Sequence, residues 1–118
     1  MASEPVLVLQ MQRMGDIVLS FPLFLWLRRH DPDRPVWVVA ERAFFEQLVH
    51  VSPQVTYLPW TATRELAARP YSLIVNLSHR PEAAELAGQL QAKLKLGAVR
   101  RGDALNIFGD WQLYRASL

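Results

Sequence analysis

The run Val6-Leu-Val-Leu9 is apolar at every position, with no alternation between faces, so a strand made from it must be covered on both sides. A parallel sheet sandwiched between helices provides that cover. Val36-Trp-Val-Val-Ala40 and Tyr71-Ser-Leu-Ile-Val-Asn-Leu77 repeat the pattern, and Val55 to Leu58 gives a weaker version. Between these runs fall stretches of helical spacing. Ile17 to His30 is predicted as the first helix, with Asp16 as its N-cap and Arg28, Arg29 and His30 at the C-terminal end, where cations suit the helix dipole. Pro22 inside it predicts a kink, or a regular helix that starts later. Helices are expected from Glu41 to Val51, from Ala62 to Ala68, and from Pro81 along the apolar spacing Ala83, Leu86, Ala87, Leu90 and Leu94, with Gly97 as the stop. Gly97 to Val99 reads as a short fifth strand.

Strands alternating with helices predict an α/β, Rossmann-like three-layer parallel sheet with right-handed crossovers and strand order 3-2-1-4-5. The 118 residues are 51% apolar and 20% charged, which suits one domain with a real core. There is no cysteine, so disulfides, thiolate metal sites and cysteine nucleophiles are excluded. Thirteen basic against eleven acidic residues leave a formal +2, scattered along the chain rather than gathered into a stripe, so no nucleic-acid partner is expected. The longest apolar run, Ile17 to Leu27, is too short for a membrane span, and no cleavage site marks it as a secretory signal. A cytoplasmic location follows as the default.

In such a sheet ligands bind beyond the carboxyl ends of the strands, where the strand order reverses. The expected order sets the loop Met11 to Asp16 beside the loop Ser78 to Pro81. The crevice should therefore collect Gln12, Arg13, Gly15 and Asp16 from one side and Ser78, His79 and Arg80 from the other. Five of these have a plainer role as well: Asp16 as helix cap, Gly15 as turn residue, Arg13 and Arg80 as solvated rim, His79 as an exposed loop residue. No G-x-G-x-x-G or G-x-x-x-x-G-K-[ST] occurs. Asp31-Pro32-Asp33 lies between the first helix and the second strand, at the wrong edge of the sheet for a metal site, and the three histidines form no ligand pair, so no metal is expected. Trp26, Trp37, Trp60 and Trp111 read as core and boundary residues.

The string Val6 to Pro22, with Met14, Gly15, Asp16, Ser20 and Pro22 in their places, resembles the opening of the ADP-heptose:lipopolysaccharide heptosyltransferase family, glycosyltransferase family nine. There an apolar strand leads to an aliphatic residue, Gly and Asp, then to an apolar helix with Ser or Thr shortly before Pro. The likeness continues through Pro32-Asp33, the Val36–Ala40 strand followed by Glu41, and the Tyr71–Leu77 strand with its polar loop. It implies the N-terminal, acceptor-binding domain of a two-domain GT-B enzyme. Such enzymes move heptose from ADP-heptose to the lipopolysaccharide inner core, with inversion and with neither metal nor cofactor. The family's candidate general base maps onto Asp16. A carboxylate there takes the proton of the attacking hydroxyl while cationic groups hold the departing diphosphate. The chain departs from the family at Gln12 and Arg13, where small hydroxyl residues are common, and at Asn76, where the strand often ends in Asp. Arg13 offers instead a cation for an acceptor phosphate or carboxylate.

The resemblance implies a nucleotide-sugar donor held by a C-terminal domain that these 118 residues lack, so they are expected to be inactive alone. It also implies a lipopolysaccharide-core-like acceptor, which would bring the protein to the inner face of the cytoplasmic membrane as a peripheral partner. Ile107, Trp111, Tyr114 and Leu118 form a terminal helical stripe that needs covering, by this sheet, by a missing domain, or by a second copy in a homodimer. The alternative function is a stand-alone Rossmann-like binding module without catalysis.

Overall fold

The computed structural model describes residues 4–102 and 104–106. The terminal stripe from Ile107 to Leu118 lies outside the described residues. Five parallel strands, β1 (Val6–Leu9), β2 (Val36–Ala40), β3 (Thr56–Pro59), β4 (Tyr71–Asn76) and β5 (Ala92–Gly97), form one sheet in the order β3-β2-β1-β4-β5. Helices α1 (Met14–Leu19), α2 (Phe21–His30), α3 (Arg42–Leu48), α4 (Thr63–Ala67) and α5 (Pro81–Gln89) alternate with the strands. An antiparallel hairpin, β6 (Val99–Arg101) and β7 (Ala104–Asn106), follows. The α/β Rossmann-like fold and the strand order expected from sequence are those observed.

The two-faced apolar run explains the layering. Val6 and Val8 enter one buried cluster with Ile17, Phe24, Leu27, Phe45 and Leu48, while Leu7 and Leu9 enter the opposite one with Leu66, Ile74, Ala83, Leu86 and Ala87. Each fully buried aliphatic side chain contributes about 1.5–3 kcal/mol, so β1 alone anchors both helical layers.

Three expectations are corrected. The first helix is two helices, divided at Ser20, with Pro22 in the first turn of α2 where no amide hydrogen is required. A continuous helix would drive the Pro22 ring into the Val18 carbonyl. At the break, the Ser20 amide donates to the Asp16 and Ile17 carbonyls at 3.1 and 3.0 Å.

The last helix does not reach Leu94, because Leu90 turns extended and Ala92 to Gly97 pair with β4, Leu94 opposite Leu73. Lys95, buried within β5, donates from Nζ to the Gly88 carbonyl at 3.2 Å and so satisfies an acceptor in the final turn of α5. Gly97 is therefore no helix stop. It ends β5 with φ +89, and any Cβ there would run into the Asn76 carbonyl. The fifth strand thus starts five residues before the expected Gly97.

Two tryptophans also depart from a core role. Trp26 is 52% and Trp60 37% exposed, whereas Trp37 packs edge-on to Tyr71 and under the Arg69 guanidinium.

Tyr71 is completely buried and donates its hydroxyl to the Leu66 carbonyl at 2.6 Å. Burial pushes its pKa up to about 12, against a smaller lowering by Arg69. The unfolded chain releases this proton first, so the stabilising effect is complete below pH 10 and is lost as pH rises from 10 towards 12. Urea unfolding at stepped pH should show stability falling across that window. Tyr71→Phe should flatten the fall, leaving the smaller contribution of Tyr57, which burial also raises.

Candidate functional site

The loops after β1 and β4 meet as the strand order requires. β1 is flanked by β2 and β4, so its carboxyl end is the point where the winding reverses. Ser78 joins the two loops: its Oγ accepts the Met11 amide at 2.5 Å and donates to the Leu9 carbonyl at 3.3 Å. Asn76 braces Ser78 through Oδ1, which accepts the Ser78 amide at 2.9 Å. Arg80 completes the clasp by donating from Nη1 to the Met11 carbonyl at 3.1 Å.

A cleft of 390 Å³ opens above this junction, lined by Met11, Gln12, Arg13, Glu41, Ala43, Phe44 and Arg80. Gln12, Arg13 and Arg80, all expected at the site, line it. Ser78 lies beneath, buried. Gly15, Asp16 and His79 belong to the same two loops but are not among the cleft's walls, and His79 is exposed.

Glu41 and Phe44 were not singled out as site residues from sequence. Their signal was positional: Glu41 directly follows β2, the strand next to β1, and so must stand at the rim of the same crevice. Glu41 Oε1 accepts from Arg80 Nη1 at 2.7 Å. The Arg80 guanidinium is thereby neutralised on one side, whereas Arg13 has no ion-pair partner among the described residues.

Asp16 is not an N-cap. The helix starts three residues earlier than that role allows, with Arg13 in the cap position and Asp16 in the third helical position, where Oδ2 accepts the Arg13 amide at 3.1 Å. This is one half of a capping box, since an arginine side chain has no acceptor to return the bond. Asp16 is fixed from behind as well. Its carbonyl accepts Ser20 Oγ at 2.8 Å, and Ser20 in turn accepts Nε2 of the buried Gln10 at 3.0 Å. Gln10 Oε1 is buried without a hydrogen-bond partner among the described residues.

Gly15 is likewise not a turn residue. Its φ is not positive, and a Cβ there would meet nothing within 4 Å. Glycine costs a helix about 1 kcal/mol relative to alanine, and nothing within the described fold demands it. The bare backbone beside Asp16 leaves room for close approach from outside.

No protein-family model and no curated protein sequence matches the chain. Solved structures share its fold, among them two transferases. A glycosyl transferase family 9 protein from Veillonella parvula DSM 2008 aligns at TM-score 0.69 and 18% identity, over 83% of this chain and 32% of its own. E. coli heptosyltransferase WaaC with ADP aligns at TM-score 0.63 and 20% identity, over 79% of this chain and 34% of its own. The chain therefore spans about a third of the length of each.

Removing the Ser78 hydroxyl orphans the Met11 amide at a buried position. Ser78→Ala should cost about 1–3 kcal/mol in urea unfolding and loosen the Met11–Asp16 loop in hydrogen exchange, whereas Ser78→Thr should retain most of both. A neutral Ser78→Ala would mean that the loops are held by other contacts.

Proposed function

We propose that this chain is the acceptor-side domain of an inverting, metal-independent glycosyltransferase of the heptosyltransferase type, acting in lipopolysaccharide core synthesis at the inner face of the cytoplasmic membrane. One observation carries the reading: the Gly15-Asp16 and Ser78–Arg80 loops, named by the sequence resemblance, meet at the switch point of a sheet whose fold two solved transferases share. The domain supplies the acceptor half of the reaction. A nucleotide-sugar donor would be held by a second domain, and the 118 residues alone would bind the acceptor without transferring to it.

In this reading Asp16 is the general base. Its Oδ2 accepts a backbone amide, which orients the carboxylate without neutralising it, and the Gln10–Ser20 chain fixes the turn behind it. The acceptor hydroxyl attacks the anomeric carbon, the bond to the diphosphate breaks with its electron pair, and the hydroxyl proton passes to Asp16. Arg13, whose guanidinium has no ion-pair partner among the described residues, lines the cleft to hold an acceptor phosphate or carboxylate, with Gln12 beside it. Arg80 reaches the same ligand by exchanging Glu41 for it. Gly15 permits close approach.

The alternative, a binding module without catalysis, is favoured by the Glu41–Arg80 pair, which leaves that guanidinium satisfied without any ligand. Transfer decides between them. Joined to a donor-side domain and given ADP-heptose and acceptor, the protein should transfer sugar, and Asp16→Asn should lower the rate by about 10²–10⁴-fold with unchanged circular dichroism. Transfer within a few-fold of the native rate in that variant would remove Asp16 from the chemistry, and no transfer by the joined native protein would favour the binding module.

A further inference from the structure

Apart from the Glu41–Arg80 pair, the α3 side of the cleft has no part in the proposed chemistry, yet it supplies the cleft's aromatic ring, Phe44. Phe44 stands in the first turn of α3, its amide donating to the Glu41 carbonyl at 3.0 Å. Phe45, the next residue, is buried and stacks on Tyr57 with ring centroids 5.3 Å apart. Successive side chains of a helix point about 100° apart, so Phe44 cannot follow its neighbour into the core. It packs only in part against the cluster that holds Ile17 and Phe24, and it lines the cleft as well. Around it stand polar groups that nothing in the fold uses. The Gln12 amide and Glu41 Oε2 have no hydrogen-bond partner among the described residues, Arg80 taking Oε1 alone, and the Arg13 guanidinium has no ion-pair partner there.

We infer that Phe44 is a specificity-determining residue of the cleft, its ring receiving the C–H face of a pyranose while Gln12 and Glu41 Oε2 take the hydroxyls and Arg13 the anionic substituent. A phosphate or carboxylate alone makes no use of an aromatic ring. A pyranose does, because it is apolar on its C–H face and polar at its rim, and the cleft sets an aromatic surface among donors and acceptors in the same way. The carboxylate oxygen accepts from a hydroxyl and the amide both donates and accepts, so neighbouring hydroxyls can be satisfied while Oε1 keeps Arg80. The 390 Å³ cleft lies near the lower end of the about 300–1,000 Å³ usual for ligand sites, which suits one ring rather than a chain of them. The inference rests on the acceptor reading of the cleft and adds to it how a sugar ring is told from any other anion.

The test sets glucose 6-phosphate against inorganic phosphate and adenosine monophosphate in NMR titrations of the 118-residue chain. Inorganic phosphate should shift the Arg13 amide. Glucose 6-phosphate should bind about tenfold tighter, with its ring protons moved upfield by the Phe44 ring current. Phe44→Leu, which keeps an apolar contact with the core, should leave the phosphate affinity unchanged, cut the advantage of the sugar to about twofold and abolish the upfield shifts. Phe44→Tyr should behave as the native chain does. Equal native affinities for phosphate and glucose 6-phosphate, or upfield shifts that survive in Phe44→Leu, would overturn the inference and leave the anion site standing. Tighter binding of adenosine monophosphate than of glucose 6-phosphate would also overturn it, and would assign the ring to a nucleobase. No shift at Arg13 with any of the three would overturn the acceptor reading and the inference with it.

Discussion

The central strand β1 is paired with β2 on one side and β4 on the other, and its side chains feed both helical layers. Parallel pairing on both edges leaves its backbone no exposed edge, and the winding of the sheet reverses at its carboxyl end. The chain must leave there between the ends of two neighbours, and the gap it creates is the cleft. Ser78 turns that topological necessity into a defined geometry, because one hydroxyl serves the backbone of the loop after β1 while sitting on the loop after β4. Both candidate loops derive their positions from this one junction.

The cleft has two cations in different states. Arg80 is committed to the Met11 carbonyl and to Glu41, and its first role is to close the loops together. Arg13 is uncommitted at the rim. On the proposed reading an incoming anion would meet the free guanidinium first and then compete with Glu41 for the second. That order would select against neutral sugars, since a ligand without negative charge offers nothing to offset separation of the Glu41–Arg80 pair. Asp16 stands outside the cleft wall, on the neighbouring first turn of α1, with open space at Gly15 between it and any approaching sugar.

The strands were legible because burial on both faces leaves an unmistakable run, and strand order follows once the alternation with helices is seen. Helix limits were less legible, each for a local reason. Pro22 signalled a break, but its place was decided by Ser20, whose amide and hydroxyl close the preceding turn. Leu94 continues the spacing of α5 by coincidence; pairing of Leu94 with Leu73 and the Lys95 bond to Gly88 decide for the strand. Asp16 looked like a cap because caps are chosen from its residue type, yet at the third helical position it reaches back to the Arg13 amide rather than forward to the amides of the next turn. Of the site, the loop residues could be read from topology. Glu41 could not be paired with Arg80 from sequence, because 39 positions separate them and only the placement of β2 and β4 on either side of β1 brings them to 2.7 Å.

The central claim is that the β1–β4 switch point receives a negatively charged sugar. The most direct measurement is a titration of the isotopically labelled 118-residue chain with a sugar phosphate, following backbone amide shifts. The account predicts shifts concentrated at Gln12, Arg13, Gly15, Asp16, His79 and Arg80, lost on Arg13→Gln. Saturable shifts centred elsewhere, or none at the concentrations where other anionic sugars bind such clefts, would contradict it.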